Sequence, residues 1–274
     1  MHRRAGAVLG VVGCLLLLAG STSWTSAVSD AELRVVSLGD SVPAGDACAC
    51  TPFPRLVADD LGRRFDVAGW TADLAVGGAR SADTLAVARS QPALLAGADL
   101  ILVMTGANDI APLLQTVPDP DRAAPSDQVS GGPTGADSIA TWARDARSAV
   151  QAAASNVETL LAGLPPALGS RRVVVTGYWA VGRDGSAARG SYTRRQLRAQ
   201  AWLTDRLDEA LREVAGRHAA GFSDSRSAFR GVDGDADVTS LLTADGDHVD
   251  ASGHRVLADG VLAALLPQRA RTPS

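Results

Sequence analysis

The chain has 274 residues, with 26 basic side chains, every one an arginine, against 30 acidic ones, for a formal net charge of −4. That acidity argues against nucleic acid or anionic lipid as the main partner. A hydrophobic fraction of 46% is enough to fill the core of one full-sized domain. At the start, Met1–Arg4 is basic, Ala5–Gly20 is almost wholly apolar and small residues follow. This is the pattern of a secretory signal peptide over residues 1–27, with cleavage near Thr25-Ser26-Ala27. The apolar run is short for a membrane span, so an uncleaved anchor ranks below cleavage. A lipoprotein built on Val11-Val12-Gly13-Cys14 ranks lower still. Residues 28–274 then read as a single secreted or extracellular domain, with cell-envelope association also open. No second long apolar stretch follows, so the mature form is expected to lack a membrane span and to be a monomer.

Short apolar runs alternate with helical patterns along the rest of the chain. Strands are predicted at Leu33–Leu38, Asp73–Val76, Asp99–Met104, Arg172–Thr176 and Ala219–Ser223. A helix is predicted from about Thr141 to Gly163, where Trp142, Ala146, Val150, Ala153, Val157, Leu160 and Leu161 recur at spacings of three and four. Pro165-Pro166 ends it. A second helix spans about Tyr192–Ala215, and a third follows Ser252 and stops at Pro267. Alternation of this kind implies a parallel sheet covered on both faces, with ligands beyond the carboxyl ends of the strands. Residues 112–138 are rich in Pro, Asp, Gly and Ser and read as a mobile loop or lid, or as plain disorder.

The chemistry-bearing residues follow the strands. Gly39-Asp40-Ser41 ends the first, Gly77-Gly78-Ala79 follows the second, and Gly106-Ala107-Asn108-Asp109 follows the third. Asp245-Gly246-Asp247-His248 stands just before the last helix. Acyl transfer needs a nucleophile, a base, a group that orients the base, and donors for the oxyanion. Ser41 is the candidate nucleophile. His248 is the candidate base, since imidazole titrates near neutrality. Asp245 can accept the second ring N–H and fix the tautomer. The candidate oxyanion donors are the backbone N–H groups of Ser41 and Gly78 and the side-chain amide of Asn108. His254 is a rival base, but it lies a turn into the last helix with no carboxylate three residues before it. His218 reads as an exposed helix-end residue, and Asp247 and Asp250 as solvated or capping. Asp233-x-Asp235-x-Asp237 fails as a calcium loop, because Val238 and Ala244 stand at its glycine and glutamate positions.

Of three cysteines, Cys14 lies in the signal segment, leaving Cys48 and Cys50 as an even pair in an oxidising compartment. A Cys-x-Cys bridge is favoured there, with two free thiols the alternative. A metal site needs more ligands than the pair offers, and no histidine close in sequence completes one.

The four blocks, in this order, resemble the SGNH hydrolases, also called GDSL esterases/lipases. The resemblance spans Gly39–His248 and implies a flavodoxin-like three-layer α/β/α sandwich with a central parallel sheet. It implies Ser41 as nucleophile, His248 as base, Asp245 as its partner, and Ser41, Gly78 and Asn108 as the oxyanion hole, with Gly77 the rival register for the glycine. It implies a serine esterase or lipase that hydrolyses carboxylic esters through an acyl-enzyme, without cofactor or metal. Small-molecule, lipid and acylated-carbohydrate esters are all open as substrates. An acyltransferase or carbohydrate deacetylase on the same site, or a non-catalytic cell-envelope module, are the competing readings. Two positions depart from the family pattern: Val42 follows Gly-Asp-Ser, and Val249-Asp250 follows His248. An α/β-hydrolase elbow is disfavoured, because Pro43 occupies its last glycine.

Overall fold

The structure, a computed structural model, describes residues 32–119, 135–164, 173–231 and 233–265. The signal segment and the helix stops at Pro165-Pro166 and Pro267 lie outside the described residues. In chain order the elements are β1 (Glu32–Gly39), α1 (Ser41–Ala44), α2 (Phe53–Phe65), β2 (Ala68–Asp73), α3 (Ser81–Ser90), α4 (Pro92–Ala96), β3 (Leu100–Met104) and α5 (Ala107–Ile110). They continue as α6 (Gly135–Ala162), β4 (Val173–Thr176), α7 (Gly185–Ser191), α8 (Arg194–Arg217), β5 (Gly221–Ser223), α9 (Ser225–Arg230) and α10 (Ala251–Leu265). Two 3₁₀ turns, Ala111–Thr116 and Thr239–Leu241, complete the set among the described residues.

All strand pairs are parallel, in the order β2-β1-β3-β4-β5. The central strands are the apolar runs. Val35, Val36 and Leu38 of β1, all of β3 and all of β4 are buried, as a strand covered on both faces must be. β2 and β5, at the edges, are only partly buried. Helices α2 and α10 pack together on one face, and α3, α6 and α8 on the other. The predicted stripe of α6 is its buried face, and Leu203, Leu207 and Leu211 of α8 are fully enclosed. Each such leucine stabilises the fold by about 1.5–3 kcal/mol, several times the few tenths that separate good helix formers from poor ones. Burial, more than propensity, therefore sets these helices.

Several predicted boundaries move. The second strand precedes the predicted Asp73–Val76, because Ala68–Asp73 pairs with Glu32–Ser37. Leu74 N and Val76 N still donate to Ser37 O and Gly39 O, so the predicted segment prolongs that ladder toward the site. Helix α6 starts at Gly135, inside the segment read as a loop, and Ala111–Thr116 is a 3₁₀ turn. Trp142 holds that turn, its indole N–H donating to Leu113 O at 3.0 Å. This contact is invisible to local periodicity.

Candidate active site

The strand order reverses between β1 and β3, and the candidate residues gather at the carboxyl ends of the strands around that point. Ser41 opens α1 directly after β1. Gly39 has φ 149°, and a Cβ there would overlap the Met104 carbonyl. Only glycine lets β1 pass this close to β3 while the chain turns into the serine. Asp40 N then donates to Met104 O at 3.2 Å. The Asp40 carboxylate is itself pinned at both oxygens. Oδ1 accepts Val42 N at 3.2 Å, capping α1, and Oδ2 accepts the Tyr178 hydroxyl. Burial lifts the Asp40 pKa to about 6, against the lowering effect of the Tyr178 hydroxyl, the Val42 N–H and the nearby His248. Burial and the Asp40 charge together hold the Tyr178 phenol well above its ordinary range.

The glycine block forms a turn in which Ala79 N donates to Val76 O at 3.0 Å. Gly78 is its third residue, at φ 75°, and a Cβ added there would meet nothing within 4 Å. A turn with positive φ at that position needs glycine, and the open space leaves the Gly78 backbone accessible. Gly77 instead backs onto Asp46, whose carboxylate occupies the place of a Cβ. Asn108 donates one amide hydrogen to Ala79 O at 3.0 Å, which leaves the other for a ligand. Its neighbour Asp109 accepts Ser81 N and Ser81 Oγ at 2.9 and 2.8 Å, and Asn156 donates to the same hydroxyl. Asp109 thus ties α5 to the start of α3.

On the loop before α10, His248 Nδ1 lies 2.9 Å from Asp245 Oδ2. Asp245 Oδ1 accepts Thr243 Oγ, Asp247 N and His248 N at 2.7, 2.8 and 3.0 Å. Partial burial would raise the Asp245 pKa, but these donors and His248 outweigh it and hold the carboxyl well below the usual carboxylate range. The ring is therefore oriented by an ionised carboxylate, with Nε2 left for a second partner. Among the described residues Ser41 Oγ makes no hydrogen bond to that ring. The two groups are neighbours through Asp40 and Asp247, since His248 bears on the Asp40 carboxyl and Asp247 shares a cavity with Ser41.

The other singled-out residues divide. His254 is 1% exposed, and its Nδ1 accepts Phe53 N at 3.3 Å. Burial drives its pKa down to about 4, which suits a structural histidine better than a base. His218 is half-buried and paired with Glu158 at 2.6 Å, rather than free at the helix end. Asp250 caps α10, accepting Ser252 N and Gly253 N at 2.8 and 2.9 Å. Asp247 is exposed, as expected of a solvated residue, and also lines the cavity beside Ser41. Asp237 pairs with Arg189 and Thr239.

Cys48 and Cys50 have Cα atoms 5.1 Å apart, within the spacing a bridge requires. A histidine distant in sequence does reach them. His254 comes within 4.8 Å of both sulfurs, as α10 packs on the start of α2. With Nδ1 accepting the Phe53 N–H, the neutral ring carries its proton on Nε2, so neither nitrogen offers a free lone pair. That tautomer does not fit a metal ligand.

Sequence reasoning missed Tyr178 and Asp208. Asp208 lies on α8 and accepts Tyr178 N at 2.9 Å, and burial raises its pKa to about 7. The only local signal was a tyrosine two residues past the end of β4, at the same sheet edge as Ser41.

Residues 37–256 match the GDSL-like lipase/acylhydrolase family. No curated protein matches the chain in sequence. Among solved structures, the chain is similar to phospholipase A1 from Streptomyces albidoflavus, at 20% identity over 86% of this chain and 100% of that one, with a TM-score of 0.58. An extracellular lipase from Streptomyces rimosus is 22% identical over 85% and 100%, with a TM-score of 0.56. An acetylxylan esterase from Geobacillus stearothermophilus is 14% identical over 88% and 97%, with a TM-score of 0.55. At these identities the structures establish a shared fold.

Proposed function

The chain belongs to the GDSL-like lipase/acylhydrolase family, and on that premise we propose that it is a secreted serine hydrolase of carboxylic esters with Ser41, His248 and Asp245 as its catalytic residues. The observation that carries this reading is the Asp245–His248 contact at 2.9 Å, at the strand edge where Ser41 and Asn108 line one cavity. His248 Nε2 takes the proton of Ser41 as Oγ attacks the ester carbonyl carbon. The resulting oxyanion is held by the N–H groups of Ser41 and Gly78 and the free amide hydrogen of Asn108. Collapse expels the alcohol, which leaves with the proton from His248. Water, deprotonated by the same ring, then attacks the acyl-enzyme, and the carboxylic acid departs as Ser41 recovers its proton. Asp245 stays ionised throughout and stabilises the imidazolium.

Gly78 is the oxyanion glycine in this reading, since its backbone is open while Gly77 is backed by Asp46. We take residues 1–27 as a signal peptide, the remainder as one domain, and Cys48–Cys50 as bridged, in keeping with an extracellular enzyme. Lipases, a phospholipase and an acetylxylan esterase among the similar structures are consistent with ester chemistry. The test is Ser41→Ala. The purified variant is expected to keep its circular dichroism spectrum, to lose hydrolysis of nitrophenyl acetate to background, and to escape fluorophosphonate labelling. Retained turnover would rule Ser41 out as the nucleophile.

A further inference from the structure

Tyr178 is a buried ionisable side chain that the proposed reaction leaves without a task. It stands two residues past β4, 2% exposed, among the residues that line the crevice with Ser41 and Asn108. Its backbone is anchored from below, since Asp208 of α8 accepts Tyr178 N at 2.9 Å. Trp179, next in sequence, is buried and stacks on Phe229 with ring centroids 5.0 Å apart. The phenol is thus carried on a packed, hydrogen-bonded base with little freedom to shift.

The hydroxyl faces the two blocks that supply Ser41 and Asn108. It donates to Asp40 Oδ2, while Asp40 Oδ1 accepts Val42 N. One carboxylate therefore holds the chain on both sides of Ser41, and the phenol fixes the direction of that carboxylate. The Ala107 N–H acts on the same hydroxyl from the residue before Asn108. Asn108 is held on its other side by Ala79 O. A single buried oxygen thus bears on the residue before Ser41 and on the residue before Asn108.

A carboxyl and a phenol buried together give up their water, and only directional bonds offset that loss. An apolar pair would fill the space without it, but would leave the turn around Ser41 unset. Placement matters at such a point, because a displacement of about 1 Å can lower a rate by about 10²-fold.

We propose that Tyr178 is a positioning residue for the reaction at Ser41. Its hydroxyl fixes the spacing between the Ser41 N–H and the Asn108 amide, two of the donors that hold the oxyanion. The role rests on Ser41 being the nucleophile. The phenol acts through its neighbours and takes no part in the proton transfers.

The test is Tyr178→Phe, which keeps the ring and removes the oxygen. With nitrophenyl acetate, kcat should fall by about ten- to a hundredfold, less than the ~10²–10³-fold loss of an oxyanion donor itself. KM should stay within about twofold, since the contact is realised in the transition state. Asn108→Ala should cost the larger amount. The double variant should lose clearly less than the product of the two, because the placing of an amide ceases to matter once the amide is gone. Asp40→Ala breaks the same link from the other end and should lower kcat at least as far as Tyr178→Phe. Asp40→Asn keeps both contacts and should retain more activity than Asp40→Ala. A folded Tyr178→Phe with wild-type kcat, a loss carried by KM alone, or losses that multiply in full would overturn the positioning role. If Tyr178→Phe does not fold, equal kcat values in Asp40→Ala and Asp40→Asn would overturn it. Turnover that survives Ser41→Ala is a separate outcome, which removes the serine reading itself and this role with it.

Discussion

Two aspartates flank the candidate catalytic residues, and their surroundings drive them in opposite directions. Asp40 precedes Ser41 and Asp245 precedes His248 by three. Asp40 is 1% exposed and its pKa rises to about 6, because two donors do not repay the loss of water. Asp245 sits on a partly exposed loop and is held low by Thr243, His248 and two backbone N–H groups. The donor count and the depth of burial decide between the two outcomes. One carboxylate can therefore serve as a permanent charge against an imidazolium. The other is better suited to holding a backbone turn than to carrying charge. The contrast extends to the scaffold: the proposed nucleophile is fixed by long-range packing, and the proposed base by hydrogen bonds within a six-residue loop, Thr243–His248.

The sharpest way to break this comparison is to neutralise each carboxylate in turn. Asp245→Asn should lower kcat by about 10³–10⁴-fold, because the ring loses the acceptor that sets its tautomer. Asp40→Asn should cost about tenfold or less, since the Tyr178 hydroxyl can donate or accept and both contacts survive. Equal losses in the two variants would end the division of roles. The next effect is on stability against pH. Asp208, like Asp40, has a folded pKa raised above its unfolded value, to about 7. Its contribution is complete below the unfolded pKa near 3.8 and is lost as pH rises through about 7. Asp208→Asn should flatten the fall in unfolding free energy between pH 5 and pH 8 by about 2.5 kcal/mol at most. Denaturant titrations at the two pH values measure it. His254 acts in the opposite sense. Its depressed pKa, about 4, gives a contribution present above 6.5 and lost as pH falls toward 4. His254→Gln should remove that acid-side fall, read from the same titrations at about pH 4.5 and pH 6.5. Smallest is Tyr178→Phe, which strips one donor from Asp40. A stability loss of about 1.5–3 kcal/mol is expected from the urea midpoint. The Asp40 titration should move to still higher pH.

The sequence by itself determined the class of the fold, the central strands and the order of the four blocks. Each is a local pattern: a buried strand reads as an apolar run, and a turn at its carboxyl end reads as Gly-Asp-Ser or Gly-x-Asn-Asp. The pairing of Asp245 with His248 was legible for the same reason, since three residues of loop span it. Tertiary structure alone decided what no short window contains. Tyr178 meets Asp40 across 138 residues, Phe53 meets His254 across 201, and Ser81 meets Asp109 across 28. It also separated Gly77 from Gly78, because only the folded chain puts Asp46 behind one and open space beside the other. Partners distant in sequence are chosen by the sheet order and by which helices share a face, and periodicity carries no record of that choice. The cavity beside Ser41 belongs to the same category. Its walls come from the turns after β1, β3 and β4, and its volume exists only once those strands lie side by side.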